Sequence, residues 1–304
     1  MIYYYFFLLY NLIDKDLFNM PWYLFGFVCT FFIGLHLVTS KKILVFENAL
    51  EFLTVLASAQ FLVLLPIIPY VEIPSMEVFL LIIFQGILLT VGLLLQFTVL
   101  RKMPISTVAT LGNLMPLFLF SFAFFMLGES LNDDKLTGLV ILVFGAYMVD
   151  YAPGDILGPI KKVFSSKLEQ FLLISIMLLA SVAMLDKMIL SEGISALSLL
   201  FFSQLCLAIS TLSCLLIIEK KEGVKKAYTT KGTWVLLTAM LKNLGNLAYF
   251  HAVSLTYVSL VVPIRQLASF ISAFIGGTIF KEKNLFRKSI ACLIMIAGVI
   301  LIIL

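Results

Sequence analysis

The sequence predicts an all-α polytopic membrane protein, with ten transmembrane helices arranged as two inverted five-helix repeats. Three observations predict it. Of 304 residues, 62% are hydrophobic and only 12% are charged, about half the charged share of a soluble domain. So few charges cannot cover the surface of a chain this long, so the excess apolar surface must face lipid. Apolar runs near the length needed to cross the hydrocarbon, about 20 residues, recur along the whole chain. A shift of 153 positions lays Gly92–Met148 on Gly245–Leu301 without a gap.

The spans run roughly over 22–40, 52–69, 78–100, 105–127, 136–151, 169–186, 196–218, 234–254, 257–280 and 288–304. Short connections with turn or charge signals join most of them, such as 101–104 and 128–135. The stretch 152–168 is rich in Gly, Pro and Lys and falls near mid-chain. The expected organisation is therefore an N-terminal segment (1–21), a first repeat (22–151), a linker (152–168) and a second repeat (169–304). Residues 1–13 are apolar but too short to span, and Asp14, Lys15 and Asp16 interrupt them. That segment reads as interfacial, with Met20 as an alternative start.

Within the matched halves, Glu129 and Gly145 recur as Glu282 and Gly298 at the same sixteen-residue spacing. Gly92/Gly245, Ser106/Ser259 and Lys135/Lys288 are identical pairs too. Lys41 and Lys187 each follow a span. Five spans per half is an odd number, so the second half enters the membrane from the opposite face. Inverted repeats of this kind are a recurring device of secondary transporters. Lysine and arginine set orientation. Loops after spans 1, 3, 5, 7 and 9 carry sixteen of them, against three (Lys15, Lys135, Lys187) on the other side. The count puts the first side in the cytoplasm and both termini outside.

Each half closes on a related pattern: MLGESLNDDKLTGLVILVFGAYMV in the first, IFKEKNLFRKSIACLIMIAGVILI in the second. With the duplicated ten-span layout, these resemble the EamA family of the drug/metabolite transporter superfamily, over nearly all of residues 22–304. The resemblance implies transport of metabolites, amino acids, nucleotide sugars or drugs. It implies a central cavity lined mainly by the first, third and fourth helices of each repeat, with the fifth helices as a peripheral scaffold. It also implies cytoplasmic termini, against the charge count.

Two cations lie inside spans. Arg265 is about 12 Å into span 9, and Lys242 is about 12 Å into span 8 from the opposite face. In a core of about 30 Å their depths differ by about 6 Å. Charges there face a bundle interior or a wet cavity. Glu129, Asp150, Glu169, Asp186 and Glu282 all read as lying near helix ends, so the missing counter-charge is assigned to the solute. Lys242, Asn246 and Tyr249 fall at i, i+4 and i+7, on one helix face. Asn113 and Gln266 are repeat-equivalent polar residues at mid-depth; Gln60, Gln85 and Gln204 are weaker candidates. Pro116 and Pro263 each remove a backbone donor and are candidate hinges. His36 reads as interfacial. Glu129 and Glu282 read as structural, each favouring a helix N-terminus.

The expected function is secondary transport of a small polar metabolite by alternating access. The solute is anionic or zwitterionic: an amino acid, an organic acid, or a phosphorylated or nucleotide-linked sugar. Cationic drugs are disfavoured, because no carboxylate reads at mid-depth. The alternative is a translocator of a phosphate-bearing lipid carrier. No catalytic constellation supports an enzyme. Cys29, Cys206, Cys214 and Cys292 form no CxxC pair, so no metal or cofactor is expected. The expected partners are a small solute and the bilayer of the cell membrane, without nucleic acid; a homodimer is allowed.

Overall fold

The computed structural model describes residues 21–45, 47–127, 133–150, 166–218, 232–282 and 284–303. Its long helices are α1 (Trp22–Leu44), α2 (Ala49–Leu64) with a 3-10 continuation (Leu65–Tyr70), and α3 (Met76–Lys102). The fourth span is broken into α4 (Ile105–Gly112) and α5 (Met115–Leu127), followed by α6 (Asp133–Asp150). Then come α7 (Lys167–Ser191), α8 (Ala196–Ile218) and α9 (Gly232–Leu255). The ninth span is broken too. It comprises α10 (Val258–Gln266), α11 (Ala268–Ile271), a π-helical turn (Ser272–Gly276) and α12 (Gly277–Ile279), and α13 (Leu285–Ile303) follows. No strand occurs among the described residues.

Seven of these stretches are long and apolar enough to cross a membrane: α1, α2 with its continuation, α3, Ile105–Phe122, α7, α8 and Val258–Ile279. That is fewer than the ten apolar spans expected. In α6 the apolar part is only Leu136–Gly145. The helix α9 falls outside the set and carries Lys242, Asn243, Asn246 and His251. The apolar helices turn one face outward: Leu80, Phe84, Ile87 and Val91 of α3 are exposed, at helical spacing. Local signals agree with these elements. Ser75 caps α3, its hydroxyl accepting from the Val78 N–H at 3.4 Å. Glu77 opens that helix and Arg101 and Lys102 close it, matching the helix dipole.

The 153-residue shift is repeated in the hydrogen bonds. Leu114 N–H donates to Leu111 O at 3.0 Å, and Leu267 N–H donates to Ile264 O at 3.0 Å. Leu117 N–H bonds Leu114 O at 3.0 Å, and Phe270 N–H bonds Leu267 O at 3.1 Å. The two broken spans thus tighten at equivalent residues. Glycines do the same. A Cβ on Gly92 would meet Leu179 of α7 at 3.2 Å, and one on Gly245 would meet Ile33 of α1 at 2.8 Å. In both places a third helix packs on the first helix of the other half. Gly145 and Gly298 bring α6 and α13 together.

Lysine clamps fix helix ends. Lys41 donates to the carbonyls of Leu100 (2.5 Å), Arg101 (3.3 Å) and Met103 (2.8 Å). Lys187 donates to Val253 O (3.0 Å) and Thr256 O (2.9 Å), the equivalents of Leu100 and Met103. The clamps sit at opposite ends of the bundle. Gly26 and Gly34 of α1 pack on Ile264 and Ile271, so α1 runs parallel to the ninth span, and Lys41 ends near where that span ends. Three N–H groups on a buried ammonium meet three carbonyls, each such bond contributing about 1.5–3 kcal/mol. Lys41→Met is therefore expected to lower the thermal unfolding midpoint in detergent clearly. Lys42→Met should move it little, since exposed Lys42 only overlies the Trp234 ring at 3.8 Å, a contact contributing about 0.5–1 kcal/mol.

Glu282 is structural, as expected, but it caps a different helix. Its carboxylate accepts from the Ile105 N–H (2.5 Å) and the Ser106 N–H (3.2 Å), at the start of α4. The Ser106 hydroxyl donates to it as well. Lys288 lies 3.7 Å from the same carboxylate and 2.9 Å from the Ser106 hydroxyl. Its repeat partner Glu129 lies outside the described residues, as do 1–20 and most of the expected linker.

Candidate substrate cavity

Seven spans contribute to a cavity of about 150 Å³. Its walls come from α1 (Ile33, His36), α3 (Gln85, Leu93, Gln96), the α4–α5 break (Gly112, Met115), α7 (Asp186), α9 and α10. These are the first, third and fourth helices of each half, with Ser203 and Gln204 added from α8. About half of the lining residues are aliphatic, and the rest are mostly polar or charged groups that converge on the same space, a combination suited to a small-molecule site.

Five of the residues expected at the site share this cavity: Arg265, Lys242, Asn246, Tyr249 and Gln266. The helical spacing of α9 explains three of them, since positions 242, 246 and 249 fall on one face. Arg265 ends up there because α10 stops at Gln266. Its guanidinium lies over the Tyr249 ring, 4.6 Å from the centroid. That contact sets Arg265 against Tyr249, and both side chains line the cavity. Lys242 is 6% exposed, and its Nζ has no hydrogen-bond partner among the described residues. It lies 5.9 Å from the Phe97 ring centroid. No carboxylate comes within ion-pair distance of either cation among the described residues; the ion pair seen there joins Lys288 and Glu282.

Asn113 does not join them. It is fully buried, its amide pointing at Cys292 Sγ, 3.6 Å away. The break at positions 113–114 turns it away, and Gly112 and Met115 line the cavity instead. Nor is Pro116 an interior breaker. It occupies the first turn of α5, where a missing donor leaves no bond unmade. Pro263 does lie inside α10, three residues before that helix ends.

Two cavity residues, Asp186 and His36, differ from their sequence reading. Asp186, counted as a helix-end carboxylate, lines the cavity and accepts a 2.9 Å hydrogen bond from Gln85 Nε2. This removes the ground for disfavouring cationic solutes by want of a buried acid. His36 is buried rather than interfacial, its Nδ1–H donating to Thr238 O at 3.3 Å. Gln96, the repeat equivalent of Tyr249, also faces the cavity. The weaker candidate Gln60 is engaged with Asn243, whose amide donates to Gln60 O at 2.9 Å. Among the described residues no group of three or more His, Cys, Asp or Glu could hold a metal ion.

Membrane-length apolar helices around a buried, charged cavity define a polytopic membrane protein with an internal polar site. The model of the EamA-like transporter family matches residues 20–150 and again 167–304. The chain therefore belongs to the EamA-like transporter family, within the drug/metabolite transporter superfamily, and carries its two-repeat architecture. It matches no curated protein. One solved crystal structure aligns over 91% of this chain and 94% of its own, at a TM-score of 0.59 and 16% identity. At that identity the likeness shows the fold alone.

Proposed function

We propose that this chain is a secondary transporter of the cell membrane that moves a small anionic or zwitterionic metabolite by alternating access. In this reading ten helices cross the bilayer as two inverted repeats, divided within 152–168. The observation that carries the solute class is the pair of cations, Lys242 and Arg265, facing one cavity without a carboxylate in ion-pair reach. A buried charge is costly unless paired, so the vacant counter-charge falls to the solute. With Asp186 included, the formal charge of the cavity side chains is still +1. Support for alternating access comes from the equivalent breaks at Leu114 and Leu267 and from the lysine clamps at opposite ends. Two copies of one mechanical unit, oppositely placed, can exchange roles between states.

The test is uptake by proteoliposomes holding the purified protein, screened over amino acids, organic acids, nucleotide sugars and phosphorylated metabolites. Lys242→Gln and Arg265→Gln should both weaken flux of an anionic hit. Wild-type flux in both variants for every hit would remove the site assignment.

A further inference from the structure

The charges of the cavity are not evenly spread in depth. Lys187 ties the ends of α7 and α9 and the start of the ninth span through Val253 O and Thr256 O, so depth can be counted from that common end. A helix advances about 1.5 Å per residue. Asp186 lies five residues before the end of α7 at Ser191, about 7.5 Å in. Arg265 lies seven residues after Val258, the start of α10, about 10 Å in. Tyr249, stacked beneath Arg265, lies six residues before Leu255, about 9 Å in. Lys242 lies thirteen residues before Leu255, about 20 Å in. An acid and a guanidinium thus share one level, and a lone ammonium waits about 10 Å deeper, rather than about 6 Å away as the sequence count gave.

Resting on the transporter reading above, we propose that the solute is an α-amino acid with a second anionic group at the far end of its side chain. The α-carboxylate meets Arg265, whose fork matches a carboxylate. The α-ammonium, one carbon away, meets Asp186 at the same level. Gln85 occupies one position on that carboxylate, which has about four lone-pair sites. The distal anion reaches toward Lys242, whose Nζ has no other hydrogen-bond partner among the described residues. Charge balance agrees: the site holds two cations and one anion, and this solute holds two anions and one cation. A plain amino acid leaves Lys242 uncompensated, and a dicarboxylate without an amine sets no cation against Asp186.

Counterflow into proteoliposomes carrying the full chain tests this with labelled L-glutamate as the probe. Unlabelled competitors are glutarate (no ammonium), L-glutamine (no distal anion), L-aspartate and L-2-aminoadipate (shorter and longer), and O-phospho-L-serine (distal phosphate). A member of the amino-diacid series or the phosphoserine should compete best. Removing either the amine or the distal anion should weaken competition by roughly tenfold to a hundredfold. In Asp186→Asn the preference over glutarate should vanish while glutarate still competes, which also shows that the variant is folded. In Lys242→Gln the preference over glutamine should vanish. Wild-type protein in which glutarate or glutamine competes as well as any amino-diacid overturns the inference, whatever the variants do. In that case other anions moving in an Arg265-dependent way would leave the transporter reading standing. If no anionic solute moves and labelled organic cations do, both readings fall.

Discussion

Arg265→Gln is expected to cut flux of an anionic solute by roughly a hundredfold, measured as initial counterflow rate at matched amounts of reconstituted protein. Removing one partner of a buried, hydrogen-bonded charge pair costs about 2–5 kcal/mol, and about 2.7 kcal/mol is already two orders of magnitude. Glutamine keeps much of the length but loses the charge and the planar fork. Arg265→Lys keeps the charge alone. It should lose the stacking over Tyr249 at 4.6 Å and give an intermediate rate, since the two cations are not interchangeable at a stacked or bidentate site. A glutamine variant with wild-type rates for every solute would mean that Arg265 serves packing.

Gly298→Ala is expected to be the most damaging single-methyl change in the scaffold, read as a fall in the thermal unfolding midpoint in detergent. A Cβ at Gly298 would stand 2.7 Å from Gly138 O and 2.9 Å from Leu142 N, both backbone atoms of α6. Neither can rotate away, so the helices must separate. Overpacking costs about 1–3 kcal/mol even where side chains can adjust. Gly145→Ala supplies the contrast within the same helix pair. Its nearest clash, at 2.4 Å, is with the flexible Met295 side chain, while Ala291 O stays at 3.1 Å. It should therefore destabilise less. Small residues at such crossings let membrane helices approach, which explains why this glycine pair was visible as a repeated spacing in the sequence.

Much of the fold is legible in the sequence. Charge scarcity identified the solvent, and the recurrence of Glu and Gly at fixed spacing identified the duplication. Periodicity placed Lys242, Asn246 and Tyr249 on one face, and the cavity includes all three. What periodicity could not give is how far the cavity reaches along each helix. The apolar run of the sixth span ends at Asp186, so the residue reads as a helix end, yet the helix continues to Ser191 and the cavity reaches Asp186. Asn113 was selected by alignment with Gln266, and the one-residue difference in how each break presents its neighbours sent it toward Cys292. A sequence count treats Lys41 and Lys187 as loop charges, whereas both donate to helix-end carbonyls. A count of positive residues does not distinguish an ammonium in water from one seated on three carbonyls. The fourth and ninth spans each carry a candidate hinge in the sequence, Pro116 and Pro263, but the breaks fall beside them, at 113–114 and at Leu267. The π-helical turn at Ser272–Gly276 has no single-residue signature in that stretch.

The Glu282 cap joins two helices that are far apart in the chain. One carboxylate holds Ile105 N–H, Ser106 N–H and the Ser106 hydroxyl together, with Lys288 alongside. Because all these donors converge on a single acceptor group, parting the two helix ends releases them at once. The start of α4 and the start of α13 are therefore held through one shared carboxylate rather than through separate contacts.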